Sequence, residues 1–92
     1  MAAQLSGQVT VTTAGTAVQA TAIAGTRFVI KALPANTGVM YIGSDGSGDV
    51  ASTNGFPLSA NEAVELTLPD TLAALWVDAS VNGEKVAWLR VE

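Results

Sequence analysis

LWVDASVNGEKVAWLRV, residues 75–91, is the stretch of sequence that decides the fold. Its apolar side chains recur at every second position on both sides of an Asn-Gly pair: Leu75, Val77 and Ala79, then Ala87, Leu89 and Val91. Because side chains alternate between the two faces of a strand, this spacing is typical of two strands and not of a helix. Asn82 and Gly83 both tolerate the positive φ of a tight turn, so we predict a hairpin.

Both tryptophans of the chain, Trp76 and Trp88, lie in this stretch. A tryptophan buries a large area and brings one polar N–H group with it. Two of them on either side of one turn therefore indicate an anchor of the core or of a subunit contact. Core packing is the first interpretation, and a contact between subunits is the second.

Strand signals recur about every 8–12 residues along the rest of the chain, separated by turns rich in Gly, Pro and Asn. The predicted strands span residues 8–12, 16–21, 26–33, 39–43 and 63–68. We expect 39–43 to pair with 26–33 as a hairpin, and Pro57 to mark an edge strand or a strand start. The fold class is therefore all-β: a small β-sandwich or a jelly-roll-like barrel of short antiparallel strands. The pattern does not choose between a jelly roll and an immunoglobulin-like sandwich.

The chain has 92 residues, which is enough for one domain and too few for two. Residues 1–7, MAAQLSG, are small and weakly patterned, so we expect an N-terminal arm, followed by a single β domain over 8–92. Residues 44–55 are the longest irregular stretch, and 71–74 are expected to form one short helical turn. The first residues lack a basic segment and an apolar block, so no secretory signal is expected.

Charge and composition narrow the classes of partner. The net charge is −4, and the four basic residues form no run: Arg27, Lys31, Lys85 and Arg90. Direct binding to nucleic acid or to an anionic membrane is therefore not expected. Only 13% of residues are charged, about half the usual share, which indicates a surface largely covered by partners or one rich in uncharged polar residues.

The sequence offers few groups for catalysis. It contains neither histidine nor cysteine, which excludes Ser-His-Asp and Cys-His catalysis and thiolate or imidazole metal sites. Carboxylates are the remaining acid–base groups, and Glu62 and Glu65 fall on opposite faces of a strand. We therefore expect a protein that is not an enzyme and binds no cofactor.

One segment, DGSGD at 45–49, has the look of a calcium loop. An EF-hand loop requires glycine at position 6 and glutamate at position 12, counted from its first aspartate. Val50 and Phe56 occupy these positions, so the match fails. A hydrated turn is the better interpretation, and no metal site is expected.

Taken in order, six segments resemble a group of small structural proteins of tailed bacteriophages. They are TAGTAVQ (13–19), IKALPANTG (30–38), YIG (41–43), STNGFPL (52–58), ANE (60–62) and VDASVNGE (77–84). The resemblance lies in the order of strands and turns from 13 to 91, and this chain departs from it at 45–49, where its loop is longer.

The resemblance implies a virion protein that decorates the capsid from outside, with the major capsid protein as partner. It would be made in the host bacterial cytoplasm and work as a homo-oligomer, with a trimer preferred because a small core gains stability by association. The alternative is a protein of the tail or a fibre that binds host-surface glycans. A third class is a binding module of the host, outside any particle.

Candidate contact residues lie in three places: Ala2, Ala3, Gln4 and Leu5 in the arm, Asp45 and Asp49 in the long loop, and Trp76 and Trp88 in the stretch at 75–91. The arm is preferred, because a segment of small residues can lie along another protein or add to a sheet edge. Solvent-exposed tryptophans would favour glycan binding, and burial of both would disfavour it.

Overall fold

The structure, a computed structural model, describes residues 5–44, 50 and 55–92. Eight strands lie in these ranges: β1 (Ser6–Val11), β2 (Val18–Gln19), β3 (Arg27–Ala32), β4 (Met40–Gly43), β5 (Phe56–Leu58), β6 (Ala63–Thr67), β7 (Trp76–Ala79) and β8 (Glu84–Arg90). A short 3-10 helix, Leu72–Ala74, precedes β7, which confirms the helical turn predicted at 71–74.

The strands form two antiparallel four-stranded sheets, with the orders β1-β8-β3-β6 and β2-β7-β4-β5. The first strand pairs with the last, the second with the seventh, the third with the sixth and the fourth with the fifth. The chain is thus one long antiparallel hairpin rolled up so that successive strand pairs alternate between two sheets. This order is that of a jelly roll, and it confirms the predicted all-β sandwich.

The core lies between the two sheets and is built by the period-2 pattern of the strands. In β3, Phe28, Ile30 and Ala32 are fully buried, while Arg27, Val29 and Lys31 point to the outer face. The Phe28 and Trp88 rings meet edge to face, with centroids 6.1 Å apart and planes at 76°. The core residues with the largest fully buried side chains also include Met40, Leu72, Leu75, Val77 and Val86.

The predicted hairpin at 75–91 is wrong. β7 pairs with β2 and β4 in one sheet, while β8 pairs with β1 and β3 in the other. Residues 80–83 cross between the sheets, and the buried faces of the two strands meet across the core. The alternation of apolar residues fits both arrangements, since it does not specify the lateral neighbour of a strand. In β8 the buried side chains are those of Val86 and Trp88, and Leu89 lies on the outer face.

The hairpin predicted between 26–33 and 39–43 is wrong for the same reason. β3 pairs with β6 and β8, whereas β4 pairs with β5 and β7 in the opposite sheet. The position expected for Pro57 is confirmed, because β5 is an edge strand, where the missing N–H of proline costs no ladder hydrogen bond.

The last two residues of the predicted N-terminal arm, Ser6 and Gly7, belong to β1 instead. They pair with Leu89 and Trp88 of β8. The carbonyl of Leu5 also accepts a hydrogen bond from the Arg90 N–H at 2.8 Å. Residues 1–4 of the predicted arm lie outside the described residues, as do 45–49 and 51–54 of the long loop.

The turn at 82–83 differs in one respect from the prediction. Gly83 has φ of 80°, but Asn82 is not among the residues with positive φ; its Oδ1 accepts the Ala14 N–H at 2.7 Å. Asn82 therefore contributes a hydrogen bond to a neighbouring loop, and Gly83 alone supplies the left-handed conformation.

Replacing Gly83 by alanine is expected to lower the free energy of unfolding by about 1 kcal/mol. A Cβ at this position meets no atom within 4 Å, so the loss comes from backbone strain alone. Urea denaturation measures it. Gly15→Ala is a second test of the same effect. Gly15 has φ of 90° and no atom near a Cβ placed there, so a similar loss is expected. An unchanged stability for both variants would contradict this account of the turns.

Candidate interaction surface

The two buried acids of the described structure hold loops together. Asp78 and Glu84 are each 6% exposed. Glu84 accepts hydrogen bonds from the Gly38 N–H at 2.8 Å and from the N–H and hydroxyl of Thr37. Asp78 Oδ1 accepts the Gly15 N–H at 3.0 Å. Both carboxylates thus satisfy backbone donors of neighbouring loops, which accounts for their burial without a ligand.

The structure describes three of the candidate contact residues from the sequence: Leu5, Trp76 and Trp88. Trp88 is 3% exposed and packs on Phe28, so its side chain belongs to the core and is closed to a partner. Trp76 is half-buried, and Leu5, the residue before β1, is 57% exposed. The remaining candidates lie outside the described residues: Ala2, Ala3, Gln4, Asp45 and Asp49.

A second surface was not singled out by sequence: the outer face of the sheet at β3 and β8. We call it the β3–β8 face and define it by Arg27, Val29, Lys31, Lys85, Ala87, Leu89 and Val91. The register places Leu89 directly opposite Val29, and Ala87 opposite Lys31. Leu89 and Val91 are 44% and 48% exposed. The centre of this face is therefore apolar and open to solvent.

Polar side chains border the apolar centre. Ser6, Gln8 and Thr10 of β1 are exposed beside β8, and Glu65 of β6 lies opposite Val29. The outer face of an antiparallel sheet is ordinarily polar along each strand. An apolar centre with a polar border is the arrangement of a protein interaction patch.

Positive charge is concentrated on the β3–β8 face. It holds three of the four basic residues of the chain, including both lysines. Arg27 is paired, with its Nε 3.2 Å from a Glu65 oxygen and its Nη2 3.0 Å from a Glu92 oxygen. Lys31 and Lys85 form no ion pair with any described residue.

The residues outside the β3–β8 face carry a net negative charge. The face and Glu65 together contribute three positive charges and one negative, while the whole chain has a formal charge of −4. All other residues therefore sum to −6. A positive face on a negative protein favours partners that present carboxylates.

The sequence contained a signal for this face. The alternation at 86–91 already placed Ala87, Leu89 and Val91 on the side opposite Trp88. Once Trp88 is assigned to the core, these three side chains must point outward. What the sequence did not show is that β3 lies beside β8 and adds its lysine to the same surface.

A cleft of about 330 Å³ opens between the two sheets on the side of β5 and β6. It is lined by apolar side chains, among them Ile42, Val64, Leu66 and Phe56. Phe56 is 55% exposed at its mouth, whereas Leu58 of the same strand is buried in the core. None of the described residues that line the cleft is charged, so a molecule bound there would be held by shape and by apolar contact.

Within the ranges 5–44 and 55–92, no three acidic, histidine or cysteine side chains are grouped so that they could hold a metal ion. The aspartates at 45 and 49, to which the calcium-loop argument applied, lie outside the described residues. No helix in the described part of the chain has the length and apolar character needed to cross a membrane.

Comparison of the chain with protein-family models, with curated proteins and with solved structures found no match.

Proposed function

We propose that this protein is a non-enzymatic structural protein of a tailed-bacteriophage virion that binds the outer surface of the capsid and stabilises it. The observation that carries the proposal is the open β3–β8 face, with apolar Leu89 and Val91 at its centre. Beside them stand Lys31 and Lys85, which form no ion pair with a described residue. An open sheet face suits a contact with another folded protein better than it suits the enclosure of a small substrate.

Two further points support the proposal. The order of strands and turns from 13 to 91 resembles small structural proteins of tailed phages. The jelly roll also occurs in viral capsid domains, although it is found in lectins and cupins too, so the fold supports the proposal without deciding it.

The size of the face indicates how such a protein would act. A six-residue strand is about 20 Å long, and four strands span about 14 Å between the outer backbones. A contact of this size is smaller than a standard protein interface, so each copy binds weakly. Stabilisation then comes from many copies that bind the assembled shell and not its unfolded subunits.

We propose that the protein acts on the particle as a homo-oligomer, with a trimer preferred. A 92-residue domain buries a modest core, so association with other copies adds stability. The copy number per capsid in purified virions tests this, since a trimer requires a multiple of three at each occupied position.

The function is tested with particles that lack the protein. Capsids purified after deletion of this gene are expected to assemble, to bind added protein in a fixed copy number and then to resist a higher temperature. The protein should also be present in wild-type virions. Its absence from the virion, or bare capsids that neither bind it nor become more stable, would overturn the proposal.

The same binding assay shows whether the arm or the folded domain makes the contact with the capsid. A variant that lacks residues 2–4 keeps Leu5, whose carbonyl bonds to Arg90, and all of β1. Its melting temperature should match that of the full chain. Weaker binding to capsids would show that the arm makes a contact, as the sequence analysis preferred, and unchanged binding would leave the contact to the folded domain.

Glycan binding at the tail or on a fibre is the second candidate. Trp76 is half-buried, whereas a fully buried tryptophan could not stack on a sugar. The burial of Trp88 removes one of the two tryptophans from this role. Location of the protein on the tail of purified virions would favour this function over capsid decoration.

A further inference from the structure

We propose that the β3–β8 face docks onto a folded protein surface in which carboxylates surround exposed apolar side chains. The identification of that surface as the outside of the capsid rests on the proposed function. The chemistry of the partner rests on the face itself.

The apolar part of the contact comes from neighbouring strands. Leu89 of β8 lies between Ser6 of β1 and Val29 of β3, so its side chain stands in the interior of the sheet face. Val91, two residues after Leu89, lies on the same side of the chain. The residues Leu89 and Val91 are both nearly half exposed. A partner that covers Leu89 removes apolar surface from water at the centre of a patch, where such burial contributes most to affinity.

The charged part of the contact comes from the two lysines. Lys31 pairs in register with Ala87, and Lys85 stands two residues before Ala87 on the same side of β8. The lysines are therefore diagonal neighbours on one face. With no described acid within ion-pair distance of either, both ammonium groups are available to carboxylates of a partner.

A second copy of this chain fits the face poorly. Two copies packed face to face would bring Lys31 and Lys85 of each against those of the other, which is unfavourable. Among the exposed acids of the described surface outside the face, Glu62 and Asp70 lie in separate turns. Glu65 and Glu92 are already paired with Arg27. The charge of the face therefore favours a different, acidic protein as the occupant.

The test uses the fact that the chain has only two lysines and that both lie on this face. A carbodiimide joins a lysine amine directly to a carboxylate, with loss of water and no spacer, so it links only groups in contact. Purified virions are treated with it, and the linked peptides are identified by mass spectrometry. We expect Lys31 and Lys85 to be linked to aspartates or glutamates of the capsid protein.

Variants then measure the contribution of the face to capsid binding. Lys31→Gln with Lys85→Gln should weaken binding about tenfold and remove most of its dependence on salt. Lys31→Arg with Lys85→Arg should bind normally but give no cross-link, because it keeps the charge and removes the amine. Leu89→Thr, which keeps a strand-forming residue, should weaken binding about tenfold or more through lost apolar contact.

Two controls match these changes away from the face. Thr16→Glu with Thr21→Glu lowers the net charge by the same amount at exposed positions outside the strands. Val81→Thr alters an exposed apolar side chain in the connection between β7 and β8. Both should bind capsids as the wild type does. Melting temperatures confirm that each variant folds, and the lysine variants, at outward-pointing positions, keep the test valid if Leu89→Thr does not fold.

The outcomes separate this inference from the proposed function. Links from the lysines to a tail protein would support the docking face and overturn capsid decoration. Capsid binding that is unchanged in the Lys→Gln and Leu89→Thr variants would overturn the docking face and leave decoration standing. Links only between two copies of this chain would overturn the acidic foreign partner. A protein absent from virions would overturn both.

Discussion

Phe28→Ala is expected to lower the free energy of unfolding by about 3–5 kcal/mol, which is the largest loss among the single substitutions considered. Phe28 is fully buried in the central part of the first sheet, and its ring meets Trp88 edge to face at 6.1 Å. Its Cζ atom also lies 2.9 Å from where a Cβ at Gly25 would stand, so the ring fills its site closely. For a domain of this length the total stability is about 5–14 kcal/mol, so the variant would retain little of it.

The matched control is Phe56→Ala, which makes the same chemical change at the other phenylalanine of the chain. Phe56 is 55% exposed at the mouth of the cleft, so we expect a loss below about 1 kcal/mol. Urea denaturation followed by tryptophan fluorescence measures both, because Trp88 reports directly on the site of Phe28. Equal losses at the two positions would contradict the assignment of Phe28 to the core.

The strands themselves were predictable because burial on one face of a sheet leaves a period-2 pattern in the sequence. At 26–33 the pattern puts Phe28, Ile30 and Ala32 on one face of the strand, and the structure shows that this face is the buried one. The same alternation puts Val64 and Leu66 on one face of β6, and both are partly buried and pack against the core. Proline at 57 marked an edge strand because it has no N–H to donate.

The pairing of the strands was not predictable in the same way. Turn signals favour hairpins between consecutive strands, but here β7 and β8 join opposite sheets, as do β3 and β4. In a jelly roll most partners are remote in sequence, such as β1 with β8. Local pattern carries no information on such partners, since any strand with one buried face satisfies it.

The candidate contact surface followed from that missing pairing. The tryptophans were predicted as contact residues because of their size, but the large side chain of Trp88 is buried in the core. The sequence does not indicate that Lys31 and Lys85 are neighbours, because they are far apart in the chain. Only the pairing of β3 with β8 places them on one face beside Leu89.

Glu84→Ala is expected to cost about 2–4 kcal/mol, the second-largest loss, even though the residue is charged and borders a turn. The side chain is 6% exposed, and its two oxygens accept hydrogen bonds from the Gly38 N–H and from the N–H and hydroxyl of Thr37. Alanine leaves two backbone donors of the β3–β4 connection without a partner in a part-buried site. Hydrogen bonds to a carboxylate are stronger than neutral ones, which raises the loss further.

Glu84→Gln and Glu65→Ala complete the experiment. Glutamine keeps one acceptor oxygen, so its loss should lie between those of wild type and alanine. Glu65 is exposed and bonds Arg27 in a surface ion pair, so its replacement by alanine should cost less than about 1 kcal/mol. Hydrogen exchange at Thr37 and Gly38 should quicken in Glu84→Ala and stay unchanged in Glu65→Ala. If Glu84→Ala were as stable as Glu65→Ala, the β3–β4 connection would be held by the reciprocal bonds of Asn36 and Lys85 instead.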